Sequence, residues 1–272
     1  MTDNTYSIQQ AYLDWLHTQR GDVGAGAPAG SDRLIHQPEM LAQRAPGNTC
    51  LSALSSEGNG AIEKPVNDSK GCGGAMRTAP IGLMTCAGTD DVFRLGAEAA
   101  ALTHGHPSGY LSAGMVAALV RVLMDGTSLI TRPGTYSNSG AIDQCCSILR
   151  TYPKHEETLA AVLKAVHLAA NKADSHALAV ESLGGGWVGE EALAIALYAV
   201  LSAESYVEAI SIASNHSGDS DSTASIAGQL WGAANGLAGM PHDWVLKIDV
   251  LLPLLHLARH LAGQQSQNVS LL

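Results

Sequence analysis

Large aromatic rings are scarce in this chain: one Phe, four Trp and seven Tyr among 272 residues. A core of such a sequence must be assembled from Ala, Leu, Val and Ile, whose small side chains let helices approach closely. Basic residues are also few, 15 against 25 acidic, for a net charge of −10. Phosphate contacts need a basic face, so a nucleic-acid partner is excluded. The acidic excess is spread along the chain and serves solubility. The five cysteines are odd in number and have no CxxC spacing, and Cys145 and Cys146 are adjacent. That pattern fits reduced thiols in an intracellular protein. No charged start leads into an apolar signal region, and no apolar run reaches the roughly 20 residues of a spanning helix. These absences predict a soluble, cytoplasmic monomer that makes no membrane contact. No proline-rich linker or low-complexity run divides the chain, so residues 1–272 are expected to form one domain. Residues 21–30 are the only loop-like stretch long enough to be mobile.

What is present is helical periodicity. Ile8, Ala11, Tyr12, Trp15 and Leu16 share one face of a first helix. Thr89, Asp90 and Asp91 read as a capped acidic start to a helix over 92–103. A helix over 111–124 ends at Gly126, where a left-handed cap is cheap. Further helices are expected over 142–150, 157–170, 176–183, 190–202, 207–214, 222–236 and 245–262, the last kinked or broken at Pro253. No hairpin signal appears. The fold class predicted is all-α, a single compact domain of many packed helices. Functional residues must then lie at helix ends and in the connecting loops.

Four segments concentrate glycine and polar residues. The first is Asn215-His216-Ser217-Gly218-Asp219-Ser220-Asp221-Ser222-Thr223. Its two carboxylates and adjacent hydroxyls are hard oxygen ligands suited to magnesium, and Gly218 permits the sharp turn that would bring them together. Alternatively Asp219 and Asp221 only offset the dipole of the next helix, with Ser222 or Thr223 as its cap. The second is Asn67-Asp68-Ser69-Lys70-Gly71-Cys72-Gly73-Gly74-Ala75-Met76-Arg77. Gly71, Gly73 and Gly74 can present backbone N–H groups to an anion, with help from a following helix N-terminus. Tight helix packing is the alternative use of these glycines. Ser69 and Lys70 sit at the rim of this turn, and Arg77 serves either phosphate or a structural ion pair. Cys72 reads as a small turn residue rather than a catalytic thiol. The third, Leu102 to Tyr110, holds His104 and His106; His104 is favoured as functional and His106 as a turn former. The fourth is Gly184-Gly185-Gly186-Trp187-Val188-Gly189-Glu190-Glu191. Here Trp187 reads as a core anchor rather than a stacking surface, and the two glutamates as first-turn acids of a helix. His216 orients a carboxylate or plays a structural part.

Taken in order, G-G-A-M-R with P-I-G-L, then T-H-x-H-P-x-G-Y, then G-D-S-D-S-T resemble the ADP-ribosylglycohydrolase family from about Ala11 to the C-terminus. The resemblance implies an all-α fold and hydrolysis of the N-glycosidic bond between ADP-ribose and a protein side chain, arginine first among them. It implies two Mg2+ ions, held by Asp219, Asp221 and Ser222 on one side, with Asp219 and Asp221 catalytic. It further implies that Ser69, Gly71, Cys72, Gly73 and Gly74 hold the diphosphate and distal ribose, and that His104 lies near the substrate. The partner implied is an ADP-ribosylated protein or another ADP-ribose conjugate.

The pattern breaks at the start of the chain. The family's G-D-A helix start is absent, and Thr2-Asp3-Asn4-Thr5 looks like the family's T-D-D-T with one aspartate replaced by asparagine. Either Thr2, Asp3 and Asn4 complete the metal site in degraded form, leaving two, one or no ions, or the likeness of residues 1–10 is accidental. A non-catalytic ADP-ribose binder is the competing expectation.

Overall fold

The computed structural model describes residues 3–21, 34–56, 59–84, 87–130, 140–172, 174–237 and 239–263. Most of the loop expected over 21–30, together with Thr2 and Cys86, lies outside the described residues. Among those described, thirteen α-helices and no strand are present. They are α1 (Asp3–Arg20), α2 (Asn48–Ser55), α3 (Ala79–Gly82), α4 (Thr89–Ala101), α5 (Pro107–Met124), α6 (Ala141–Leu149) and α7 (Glu156–Ala170). There follow α8 (His176–Leu183), α9 (Gly189–Ser202), α10 (Tyr206–Ser214), α11 (Ser220–Asn235), α12 (His242–Leu246) and α13 (Leu251–Gly263). The all-α expectation holds.

Local chemistry explains most boundaries. Pro107 opens α5 where its missing N–H is no loss, and His106 Nδ1 accepts the Ser108 N–H at 3.2 Å. Past its end, Gly126 adopts φ 84° and donates its N–H to the Leu123 carbonyl, the left-handed stop that a Cβ would disfavour. Ser175 and Ser205 cap α8 and α10 through their hydroxyls. Two expectations need correction. The predicted helix over 245–262 is two helices, α12 and α13, separated by residues 247–250. The break precedes Pro253, which sits in the first turn of α13, where no intrahelical N–H is needed. Helix α2 was not anticipated, because only Cys50 and Ala53 in it are buried and its apolar stripe is too thin to read.

Helix α5 is the centre of the molecule. Most of its 18 residues are buried, with α3, α4, α6, α9 and α11 packed around it. By length and hydropathy it would suffice to cross a membrane, yet its faces are covered by protein. The crossing with α4 is made close by glycine. A Cβ on Gly96 would lie 2.8 Å from Ala117 Cβ, and one on Gly114 would lie 2.9 Å from the Phe93 ring and carbonyl. The only Phe in the chain is thus fully buried at the crossing, stacked at 4.8 Å on Tyr152. Cys145 and Cys146 pack into the same core as free thiols.

The N-terminal ends of α5, α9 and α11 meet at one end of this body, where the glycine-rich segment of residues 69–74 joins them. Gly109 of α5 stands where a Cβ would touch Lys70 Cα at 3.0 Å. Gly189 N donates to Lys70 O at 2.7 Å, and Asp219 N to Gly185 O at 2.8 Å.

Overpacking the α4–α5 crossing should be costly. Gly114→Val is expected to lower unfolding free energy by about 1–3 kcal/mol, whereas Gly88→Ser, which meets nothing within 4 Å and keeps a favoured N-cap residue for α4, should change it by under about 0.5 kcal/mol. Urea denaturation of both variants checks this; equal stability would show that the crossing relaxes freely.

Candidate active site

The acidic segment turns sharply at Gly218 and starts α11. Asp219 takes the N-cap position but makes no side-chain capping bond, so its carboxylate is available for other contacts. It is half-buried, while Asp221, one residue into the helix, is exposed. Burial, and then a hydrogen bond shared with Asp221, raise the pKa of Asp219; that same bond lowers the pKa of Asp221. Neighbouring carboxyls repel when both are ionised, and the opposite shifts of the two express that coupling.

Cys72 is the link to the glycine-rich turn. Its Sγ lies 2.8 Å from Asp219 Oδ2 and 3.4 Å from Ser222 Oγ. Burial, with the hydrogen bond to Asp219 next, pushes the thiol up to about 12. At neutral pH it is a protonated donor to the carboxylate and no nucleophile. Ser222 is buried and its hydroxyl also reaches Met76 Sδ at 3.4 Å. Asp219, Asp221, Ser222 and Cys72 therefore come together, as two distant motifs meeting face to face.

The glycine-rich turn is clamped from behind. Gly71 pairs with Val188 in an antiparallel bridge, and Cys72 N donates to Trp187 O at 3.1 Å. Gly71 N points to Ser69 Oγ at 3.3 Å, and that hydroxyl lies 3.4 Å from Thr49 Oγ1. Two of the turn's N–H groups are consumed by the protein and Gly74 is buried against Ala100, which leaves half-buried Gly73 as the most open of the turn's glycines to an anion. The helix expected to follow is only a 3-10 turn, Ala75–Arg77, and the four-residue α3. Their aligned dipoles are too short to add much attraction.

His104 lies beneath this turn rather than in front of it. It is 2% exposed, and its Nε2 is 3.4 Å from where Cβ atoms on Gly71 and Gly73 would stand. Its Nδ1 is 2.8 Å from Thr103 Oγ1, which also accepts from Arg77 Nη2 at 2.6 Å. Burial, then the Arg77 charge, lower its pKa to about 3. Arg77 is fully occupied by structure: its Nε donates to Tyr12 Oη at 3.0 Å, Nη1 approaches Cys50 Sγ at 3.2 Å, and its guanidinium lies over the Tyr12 ring at 4.3 Å. Lys70 ties the turn to α7 and α9 through Glu157 at 2.6 Å and Glu190 at 2.5 Å. His216 orients the acidic turn: Nδ1 accepts the Gly218 N–H at 3.1 Å, so Nε2 carries the hydrogen and donates to Thr223 Oγ1 at 3.0 Å.

Trp187 departs from expectation. It is 63% exposed, so it is no core anchor; its flanking glycines and the Gly71 bridge fix the backbone and leave the ring at the rim. Glu190 and Glu191, read only as dipole-offsetting acids, both build the site. Glu190 pairs with Lys70, and Glu191 accepts the N–H groups of Gly185 and Gly186. A glutamate at the third helical position after a run of glycines was the available signal, since such a side chain reaches back to the preceding backbone.

Two carboxylates and a hydroxyl, from Asp219, Asp221 and Ser222, are hard oxygen donors of the kind that would hold one side of a magnesium ion. Among the described residues no group of three His, Cys, Asp or Glu side chains is arranged to hold a metal ion by itself. Asn4 is exposed, and α1 is fixed against α4 by Thr5 Oγ1 donating to Glu98 Oε2 at 2.5 Å. Thr2 and the side chain of Asp3 lie outside the described residues.

The helical body thus brings an acidic helix start, with two carboxylates and a hydroxyl, against a glycine-rich turn. The chain belongs to the ADP-ribosylglycohydrolase family, whose model matches residues 2–269. It is similar to the ADP-ribosylarginine hydrolase Tri1 of Pseudomonas putida (strain GB-1), 28% identical over 148 residues. That match covers 51% of this chain and 40% of the relative, so the chain spans under half of the relative's length. A solved ADP-ribosylglycohydrolase-related protein complex shares the fold, with TM-score 0.56 at 18% identity, over 98% of this chain and 100% of the other.

The buried imidazole makes a pH prediction. Above pH 6.5 both folded and unfolded chains leave His104 neutral, and its contribution to stability is complete. As pH falls from about 6.5 toward 3, only the unfolded chain binds the proton, so stability declines by up to about 1.4 kcal/mol per unit. His104→Gln should flatten the stability curve between pH 6 and 4 by that slope, whatever its effect at pH 7. An unchanged slope in denaturant titrations would place the imidazole in water.

Proposed function

We propose that this protein hydrolyses the N-glycosidic bond joining ADP-ribose to a protein side chain, arginine being the favoured acceptor, with magnesium at Asp219, Asp221 and Ser222. The observation that carries the proposal is the Asp219–Asp221 pair, held against Cys72 at the mouth of the glycine-rich turn. The similarity to a protein named as an ADP-ribosylarginine hydrolase supports the choice of arginine. Bound beside these carboxylates, magnesium supplies positive charge to ribose hydroxyls and to the oxygen of a water.

The chain's own residues divide the remaining work. Cys72 donates its thiol hydrogen to one Asp219 oxygen and so fixes which way the carboxylate faces. As water attacks the anomeric carbon, the bond from that carbon to the side-chain nitrogen breaks; Asp219, whose proton affinity is raised, takes the proton the water loses and returns it to the departing nitrogen, while Asp221 keeps the negative charge that faces the developing oxocarbenium. Gly73 receives the diphosphate on its backbone N–H group. Ser69 and Thr49 line the rim of the same turn. His104 acts from below as a neutral support for the turn. Trp187 offers its exposed ring to whatever crosses the rim, adenine or the modified protein.

The test is release of ADP-ribose from arginine-ADP-ribosylated protein in magnesium and in EDTA, with a serine-linked conjugate run in parallel. Release from the arginine conjugate alone, abolished by EDTA and lowered about 10³-fold in Asp219→Ala, is the expected result. Release from the serine conjugate alone would move the linkage. ADP-ribose binding without release would favour a non-catalytic binder, a reading that Asn4 in place of a carboxylate supports.

A further inference from the structure

The peptide group between Gly185 and Gly186 is bonded at both ends. Its N–H, on Gly186, donates to Glu191 Oε2 at 3.1 Å, and its carbonyl, on Gly185, accepts the Asp219 N–H at 2.8 Å. The neighbouring Gly185 N–H reaches the same Glu191 oxygen at 3.0 Å. Glu191 is the third residue of α9 and reaches back over the loop that precedes its own helix. Hydrogen bonds to an ionised acceptor are roughly twice as strong as neutral ones, and a peptide polarised at its N–H becomes a better acceptor at its carbonyl.

The space around this relay is closed. Gly184 has φ 125° and a Cβ there would lie 2.3 Å from Glu191 Cδ. Gly186 has φ 74° and a Cβ there would meet Thr223 Cγ2 at 2.6 Å. A Cβ on Gly218 would stand 1.9 Å from the Gly185 carbonyl oxygen. The Gly185–Gly186 peptide therefore has one seat, and Asp219 is hung from it by its backbone.

We propose that Glu191 is a positioning residue for the Asp219 carboxylate: its side-chain oxygen, accepting the Gly185 and Gly186 N–H groups, locks the Gly185–Gly186 peptide, which in turn fixes the N-cap of α11 and the direction in which Asp219 presents oxygen to a divalent cation. The inference rests on the reading of Asp219 and Asp221 as metal ligands. Glu191 touches neither substrate nor cation. It acts through two backbone groups, so its loss changes ligand geometry without removing a ligand.

The test uses Mn2+ as the probe, measured by titration calorimetry on the full chain, with amide hydrogen exchange as a second readout. Glu191→Ala is expected to weaken Mn2+ binding about 10- to 100-fold, the range for residues that orient metal ligands. Exchange at the Gly186 and Asp219 amides should speed up while α5 stays protected. Glu191→Gln, which keeps an acceptor oxygen, should recover most of the affinity. Gly184→Ala, which displaces the carboxylate without deleting it, should reproduce the loss. Unchanged Mn2+ affinity and exchange in Glu191→Ala, with wild-type binding that Asp219→Ala abolishes, overturns the positioning role alone. Wild-type protein that binds no Mn2+, or binds it equally in Asp219→Ala, overturns the metal reading and this inference with it.

Discussion

No side-chain atom fits between Gly185 and Gly218, and the site depends on that constraint. Backbone meets backbone there, close enough for the Asp219 N–H to reach the Gly185 carbonyl. Once the two loops are joined, the rest is set in series. The loop of residues 184–189 carries the bridge to Gly71 and the bond from Gly189 to Lys70. Those contacts place Cys72 in front of Asp219. The chemistry-bearing side chains are thus delivered by main-chain contacts between loops, while the apolar packing of α5, α9 and α11 supplies only the frame.

The charged and polar groups behind the turn follow the same economy of scaffold. Arg77, Thr103 and His104 form a continuous chain of contacts under the glycines, and each would be expensive to bury alone. His104 stays neutral because burial and a nearby guanidinium both oppose its charge. Glu190, 5% exposed, pairs with Lys70 at 2.5 Å. A buried carboxylate with a cation at hydrogen-bond distance holds the turn to α9 with directional contacts that apolar packing does not supply. By contrast Asp219 and Asp221 are set apart by their surroundings: burial and the neighbouring carboxyl raise the pKa of Asp219, while the pKa of Asp221 is lowered.

Most of the frame was legible in the sequence. Periodic apolar residues located α4 through α11 within a few positions, because each of these helices buries a defined stripe in a core of small side chains. Helix α2 escaped because its buried stripe is two residues, and the split between α12 and α13 was misplaced because Pro253 is tolerated in a first turn. The two segments that residue types marked, Gly218 to Asp221 and Gly71 to Gly74, meet in the structure through Cys72 and Asp219. Orientation was not readable. Whether a histidine in T-H-G-H-P faces ligand or core depends on which helix passes over it, and here His104 faces inward. Trp187 was misjudged because exposure of a large ring is set by the loop's fixed backbone and not by its own hydrophobicity. Glu190 and Glu191 looked like ordinary helix-start acids because their partners, Lys70 and the 185–186 peptide, are assigned by tertiary folding.

Cys72 and Asp219 are separated by 147 positions along the chain, and the site has no local half that works alone. During synthesis the glycine-rich turn emerges long before α11 exists, so the contact between Cys72 and Asp219 forms only once both have been made. Completion of the last third of the molecule and assembly of the site are one event. A bound ligand, seen from the unfolded chain, is then a removable staple across the whole domain. At a hundredfold excess over its dissociation constant such a ligand adds about 2.7 kcal/mol to the folded state, so the cell's supply of ligand is also a supply of stability.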